Sequence, residues 1–254
     1  MKKTISILVI LCFLLSLTLN VSAEPLSWYV KRNNENKQPV LDENFKFIER
    51  YNGFYVDRTH GDNNEDKVIY LTFDAGYENG NIERILDTLQ EENVKATFFV
   101  LENLITKNPE LILRMRNEGH LVCNHTSSHI NIAKEKDKAK IKSELENLEN
   151  LFYNLTGEKM PKYFRPPEGC FNEESLKYIN ELGYKTIFWS FAYADWDNDN
   201  QMSQSDAKKK ILDNLHNGEI MLLHPTSETN ALILKDVINE IRNQGYRFET
   251  IAEF

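Results

Sequence analysis

Cysteine is scarce: three in 254 residues, at Cys12, Cys123 and Cys170. Cys12 falls in the leader described below, and two cysteines do not make a disulfide framework. A Cys123–Cys170 bridge stays open, since both residues flank sequence motifs and sequence alone does not fix their Cα separation. Basic charge is also lacking, with 30 Lys and Arg against 39 Asp and Glu. That excludes a whole-chain nucleic-acid footprint. It argues only mildly against an anionic polymer, because a local groove can differ in charge from the whole. Internal repeats and low-complexity tracts are absent. The one long apolar run, residues 5–15, is short of the ~20 residues that a membrane span needs.

That run has a context. Met1-Lys2-Lys3 precedes it and Val21-Ser22-Ala23 follows it, giving a basic start, an apolar core and small residues before a cut. Residues 1–23 therefore read as a secretory signal peptide, the alternative being an uncleaved anchor. Leu11 before Cys12 is the wrong residue for lipid attachment. Cleavage leaves residues 24–254, enough for one large domain. Residues 24–66 form a polar, irregular arm whose aromatic islands, Trp28-Tyr29 and Phe45 to Tyr55, are expected to pin it to the rest.

From Lys67 the pattern is regular. Residues 68–73 and 96–100 read as buried strands, with shorter strands at 121–123, 186–189 and 219–223. Helical spacing covers 81–91, with Ile82, Ile85, Leu86 and Leu89 on one face. Further helices fall at 109–118, 137–153, 173–182, 205–215 and 231–243. The charged helix 137–153 reads as a solvated face without function. Strand–helix alternation through one domain predicts an α/β fold with a parallel sheet, closed or nearly closed. In such folds chemistry sits where strands end, and Asp74, His125, Arg165, Asp195 and His224 all fall there.

Each of these residues has a chemical reading. His125 and His129 stand four apart, so on a helical turn both imidazoles face one way and can bite one metal ion. Asn124 and Thr126 are placed to steady them. Asp74 ends an apolar strand and can act as a general base. Arg165, stiffened by Pro166 and Pro167, can pair with Asp74 and hold it ionised. His224, after Leu222-Leu223, can protonate a leaving amine. Asp195 can tune it, and Trp196 can wall a sugar groove, with Leu223 grouped beside it as substrate-facing. The acidic run 195–200 lacks the glycine and terminal glutamate of a calcium loop. His60, His120 and His216 have no such context. The kit as a whole suits metal-assisted hydrolysis of an amide or ester.

Thr72-Phe73-Asp74-Ala75-Gly76, His125-Thr126-Ser127-Ser128-His129, Arg165-Pro166-Pro167-Glu168-Gly169, the Asp195 loop and Leu222-Leu223-His224-Pro225 together resemble the polysaccharide deacetylases of the NodB-homology type, carbohydrate esterase family four. The resemblance covers residues 67–254. It implies a distorted (β/α) barrel and metal-dependent removal of acetyl groups from glycans. It also implies that Asp74 is the base, Arg165 the residue orienting it, and His125 and His129 the metal histidines. Asp195 then tunes the acid, His224 is that acid, and the Glu168 backbone N–H lies in the oxyanion pocket. The arm and the stretch Ala75 to Gly80 resemble the branch of spore-cortex muramic-δ-lactam deacetylases.

Ala75 departs from the family, which usually has an aspartate there as third metal ligand. Ala192 likewise replaces an aspartate often seen in the fourth motif. A divalent ion, zinc or manganese, is therefore expected to bind weakly, with Glu78 a possible substitute ligand. The resulting expectation is N-deacetylation of N-acetylmuramic acid in peptide-stripped peptidoglycan, after an amidase, by an exported monomer. Two alternatives stay open: a deacetylase of N-acetylglucosamine in peptidoglycan, chitin or xylan, and a glycan-binding protein with weak chemistry.

Overall fold

The computed structural model describes residues 24–33 and 35–253. The expected leader, residues 1–23, lies outside the described residues. Among these, no helix is long and apolar enough to cross a membrane.

Eight strands make one curled parallel sheet: β2 (Gly53–Phe54), β3 (Lys67–Ala75), β4 (Thr97–Val100), β5 (Leu121–Asn124), β6 (Tyr163–Phe164), β8 (Lys185–Ile187), β9 (Glu219–Leu223) and β10 (Tyr246–Glu249). Two further strands, β1 (Leu26–Ser27) and β7 (Cys170–Phe171), pair antiparallel in a small ribbon. The longest strand, β3, is central: β9 runs along one edge, while β10 and β4 share the other. Isolated bridges Val56–Glu219 and Phe191–Met221 join the far end of the sheet back to β9, so the sheet curls into the expected distorted barrel. Helices α1 (Asn81–Glu91), α2 (Glu102–Lys107), α3 (Pro109–Asn117), α4 (Lys138–Thr156), α5 (Glu173–Glu181), α6 (Gln204–Leu212) and α7 (Glu228–Asn243) occupy the crossovers.

The period-2 pattern of β3 decides which side chains reach the site. Ile69, Leu71, Phe73 and Ala75 pack in the main apolar core together with Ile82, Ile85 and Leu86 of α1. Val68 and Tyr70 face the other way, with Phe99, Cys123, Ile187 and Ile220. Asp74 continues that inner face and ends it with a carboxylate. Ala75, fully buried, belongs to the apolar side.

The arm packs by aromatic contact. Trp28 stacks on Phe188 with centroids 4.3 Å apart and on Phe45 at 5.3 Å. Its Nε1 donates to the Trp189 carbonyl at 2.9 Å, and its backbone N–H to the Gly169 carbonyl at 2.8 Å. The arm therefore buttresses the segment after Arg165. Cys123 and Cys170 are both free thiols, which closes the question of a bridge between them. Cys123 points into the buried inner face of β5, while Cys170 lies in the ribbon with β1. Helix α2 and strand β10 were not legible from periodicity, being short and mixed in polarity.

Candidate active site

Asp74, 91 positions from Arg165 in the chain, accepts a 2.9 Å hydrogen bond from its Nη1. Arg165 is fully buried and spends its other donors on carbonyls: Nε on Ile187 at 3.1 Å and Nη2 on Phe188 at 3.2 Å. Its guanidinium lies 4.2 Å from the Phe99 ring centroid. A planar fork with fixed acceptors has one orientation, so the carboxylate it holds has one as well. Burial pushes the Asp74 carboxyl upward, but the Arg165 guanidinium above all, with the neighbouring imidazoles adding, outweighs it and holds it below the usual carboxylate range.

His125 and His129 come together, with ring centroids 5.0 Å apart and planes at 68°. They do so on a loop and not on the expected helical turn. Thr126 at φ 69° and His129 at φ 61° both take left-handed backbone, which breaks any helical register. The His125 ring is set by Nδ1 donating to the Arg165 carbonyl at 2.8 Å, leaving Nε2 facing Asp74 Oδ2 at 3.6 Å. Asn124 does not touch either imidazole: it accepts from the Thr126 N–H and donates to Leu145 O and Tyr184 Oη. Thr126 Oγ1 is buried without a partner, so neither neighbour steadies the pair as expected. That task falls to Glu144 on α4, which accepts from Ser128 N–H at 2.7 Å and Ser128 Oγ at 2.8 Å. The helix read as a solvated face thus carries one residue with a purpose; charge periodicity does not reveal which glutamate faces a loop.

Burial drives His125 down to about 4 and lowers His129 as well, so both rings are neutral at neutral pH. Two neutral imidazoles beside a carboxylate suit a borderline divalent cation. Among the described residues no group of three His, Cys, Asp or Glu side chains converges as a metal cage. Glu78 does not complete one; its Oε1 accepts from the Gly80 N–H. The residues present fit a divalent ion as a two-imidazole site.

Across the site, His224 Nδ1 donates to Asp195 Oδ1 at 2.7 Å, and its backbone N–H to Asp195 Oδ2 at 2.8 Å. Asn230 Nδ2 donates to the same Oδ2 at 2.6 Å. Burial favours the neutral ring, yet the hydrogen bond to Asp195 and its charge, with Asp74 adding, raise His224 above its ordinary value. Sequence reading missed Asn230, although an asparagine on the apolar stripe shared with Ile233, Leu234 and Val237 is a usable signal.

The remaining candidates are placed as follows. Glu168 takes φ 59°, turning the peptide chain after Arg165, and its Oε2 accepts from Asn131 Nδ2 at 2.8 Å. Trp196 is 63% exposed on the loop after Asp195. Leu223 is buried in the main core immediately before His224.

Residues 61–187 match the family model described as polysaccharide deacetylase. Over 234 residues the chain is 39% identical to the peptidoglycan-N-acetylmuramic acid deacetylase PdaA of Bacillus subtilis, covering 92% of this chain and 87% of that protein. This chain belongs to the polysaccharide deacetylases. The solved structure of Bacillus subtilis PdaA, a family 4 carbohydrate esterase, superposes with a TM-score of 0.84 at 38% identity, covering 91% of this chain and 96% of that one. A peptidoglycan-N-acetylglucosamine deacetylase of Bacillus cereus is 33% identical over 196 residues, 75% of this chain and 89% of that protein. The chain is thus a hydrolase of the peptidoglycan deacetylase family, acting on carbon–nitrogen bonds other than peptide bonds.

Proposed function

We propose that this polysaccharide deacetylase removes the acetyl group from N-acetylmuramic acid in peptide-stripped peptidoglycan, outside the cytoplasmic membrane. The observation that carries the reaction is that two groups in one site have their proton affinities pushed in opposite directions. Arg165 lowers the Asp74 pKa, while the Asp195 hydrogen bond and charge raise that of His224. Groups whose surroundings push them apart in this way divide into base and acid. The greater likeness to PdaA than to the N-acetylglucosamine deacetylase supports the muramic sugar.

In the reaction Asp74 takes a proton from water as its oxygen attacks the acetyl carbonyl. The negative charge that develops on the acetyl carbonyl oxygen is met by the backbone N–H of Glu168. His224 then gives its proton to the amide nitrogen as the C–N bond breaks, releasing acetate and leaving the free amine on the sugar. His125 and His129 would hold a divalent ion, zinc or manganese. When bound, it supplies Lewis-acid polarisation. With the stem peptide already removed by an amidase, the free amine sits beside the lactyl carboxyl, and their condensation gives the muramic δ-lactam of spore cortex.

The test is mass spectrometry of peptide-free muramyl glycan and of chitin oligomers after incubation with the exported, monomeric chain. Acetyl loss from the muramic residues is expected. Loss confined to N-acetylglucosamine would overturn the substrate. Asp74→Asn and His224→Ala should each slow acetate release by roughly 10²–10⁴-fold with unchanged circular dichroism.

A further inference from the structure

The segments that follow Asp74, Asp195 and His224 in the chain line an open polar cavity of about 360 Å³. Asn79, Asn81, Arg84, Asn198, Gln201 and Glu228 line it. Its size is within the range of small-ligand pockets. Thr226, in its wall, is two residues past His224, so their Cα atoms are at most about 7.6 Å apart. The cavity therefore borders the place where the reacting sugar must sit.

The walls are held by hydrogen bonds already made. Asn79 and Asn81 both donate to the Thr226 carbonyl, at 2.8 and 3.2 Å. Gln201 Nε2 donates to the carbonyls of Asp195 at 3.0 Å and Asp197 at 2.6 Å. Asn198 donates to Tyr77 Oη at 2.8 Å, which ties an exposed tyrosine to the loop bearing the exposed Trp196. Arg84 differs from its neighbours. Its Nη1 donates to Asn81 Oδ1 at 3.0 Å, and among the described residues no carboxylate pairs with it. Arg114, Arg116, Arg242 and Arg247 all have carboxylate partners. Arg84 is an exposed residue lining this polar cavity, and a guanidinium free of a carboxylate can take one from a ligand in bidentate fashion.

We propose that this cavity is a glycan subsite for a carboxylate-bearing sugar, with Arg84 binding the carboxylate. The inference rests on the muramic reading above, because a glycan stripped of peptide carries a lactyl carboxylate on each muramic residue. The side-chain amides and Glu228 then meet sugar hydroxyls, and Tyr77 and Trp196 offer apolar faces beside them.

Binding is measured by calorimetry on the full mature chain carrying Asp74→Asn, which removes turnover from the readout. The probes are a peptide-free muramyl tetrasaccharide, the same glycan with its carboxylates methyl-esterified, and chitotetraose. Adding Arg84→Gln should weaken the acidic probe by about 10- to 50-fold, as loss of a charge-assisted pair implies, and shift the neutral probes less than twofold. Arg84→Lys should recover part of the loss, keeping the charge without the fork. Equal weakening of all three probes, no weakening at all, or no preference for the acidic over the esterified glycan before substitution would each overturn the subsite. Absence of acetyl release from muramyl glycan by the unsubstituted chain would overturn the proposed reaction separately, because affinity does not depend on turnover.

Discussion

Replacing Asp195 by asparagine isolates what raises the pKa of His224. Both carboxylate oxygens of Asp195 accept from N–H groups: Oδ1 from the His224 ring, Oδ2 from the His224 backbone and from Asn230. Asparagine preserves the shape but supplies only one accepting atom. Either its NH₂ faces two donors, or it flips and faces the ring, forcing the imidazole into its other tautomer. The main charge that raises His224 also vanishes, leaving only the smaller contribution of Asp74 against the burial that lowers it. An opposite charge at hydrogen-bond range is generally worth roughly 1–3 pKa units. The protonated fraction at pH 7, and with it kcat/KM, should fall by roughly 10- to 100-fold. A general acid loses activity as pH rises through its pKa, so the basic limb of the kcat/KM profile should move to lower pH. Asn230→Ala removes one hydrogen bond and no charge, and should move that limb much less. The assay is acetate release from peptide-free muramyl glycan across pH 5–9, with circular dichroism to verify folding. A folded Asp195→Asn variant whose basic limb stays in place would refute the assignment of His224 as an acid tuned by Asp195.

Acid should destabilise the fold through His125. Its folded pKa is depressed by burial from 6.5 to about 4, so the stability linked to it is complete above pH 6.5 and lost as pH falls towards 4. The full loss is roughly 3 kcal/mol, and urea unfolding at pH 7, 5.5 and 4 measures it. Gly169→Ala should destabilise by at least ~2 kcal/mol: its φ is +62°, and a Cβ there would lie 2.7 Å from Trp189 Cη2. A melting temperature within a degree of the parent would contradict that packing. Ala75→Asp places a carboxylate on the apolar face of β3, so the variant should melt lower in chelator and be rescued by zinc as metal binding tightens. Calorimetric titration showing unchanged zinc affinity would mean position 75 does not reach the two histidines.

Asp74 was legible from sequence as the residue ending a buried strand, because residues 68–73 are an unbroken apolar and β-branched run; that run is buried on both faces, so the side taken by the carboxylate was not legible. Helix α1 was equally legible: its apolar residues recur at helical spacing and its observed range is the expected one. The residues proposed for catalysis stood out in the sequence by their type at strand ends. What sequence did not disclose was the conformation of the loop holding the two histidines, because left-handed backbone at Thr126 and His129 leaves no compositional trace.

The partners that give the kit its chemistry belong to the tertiary structure. Arg165 meets Asp74 only because β3, β4, β5 and β6 lie side by side, and Asn230, in the first turn of α7, meets Asp195 across 35 positions of sequence. Glu144 reaches the histidine loop from a helix whose surface pattern is otherwise that of a solvated face. Periodicity reports which face of an element is buried. The upward shift of His224 and the downward shift of Asp74 depend on charges brought together from distant positions, and closure of the sheet is what brings them there.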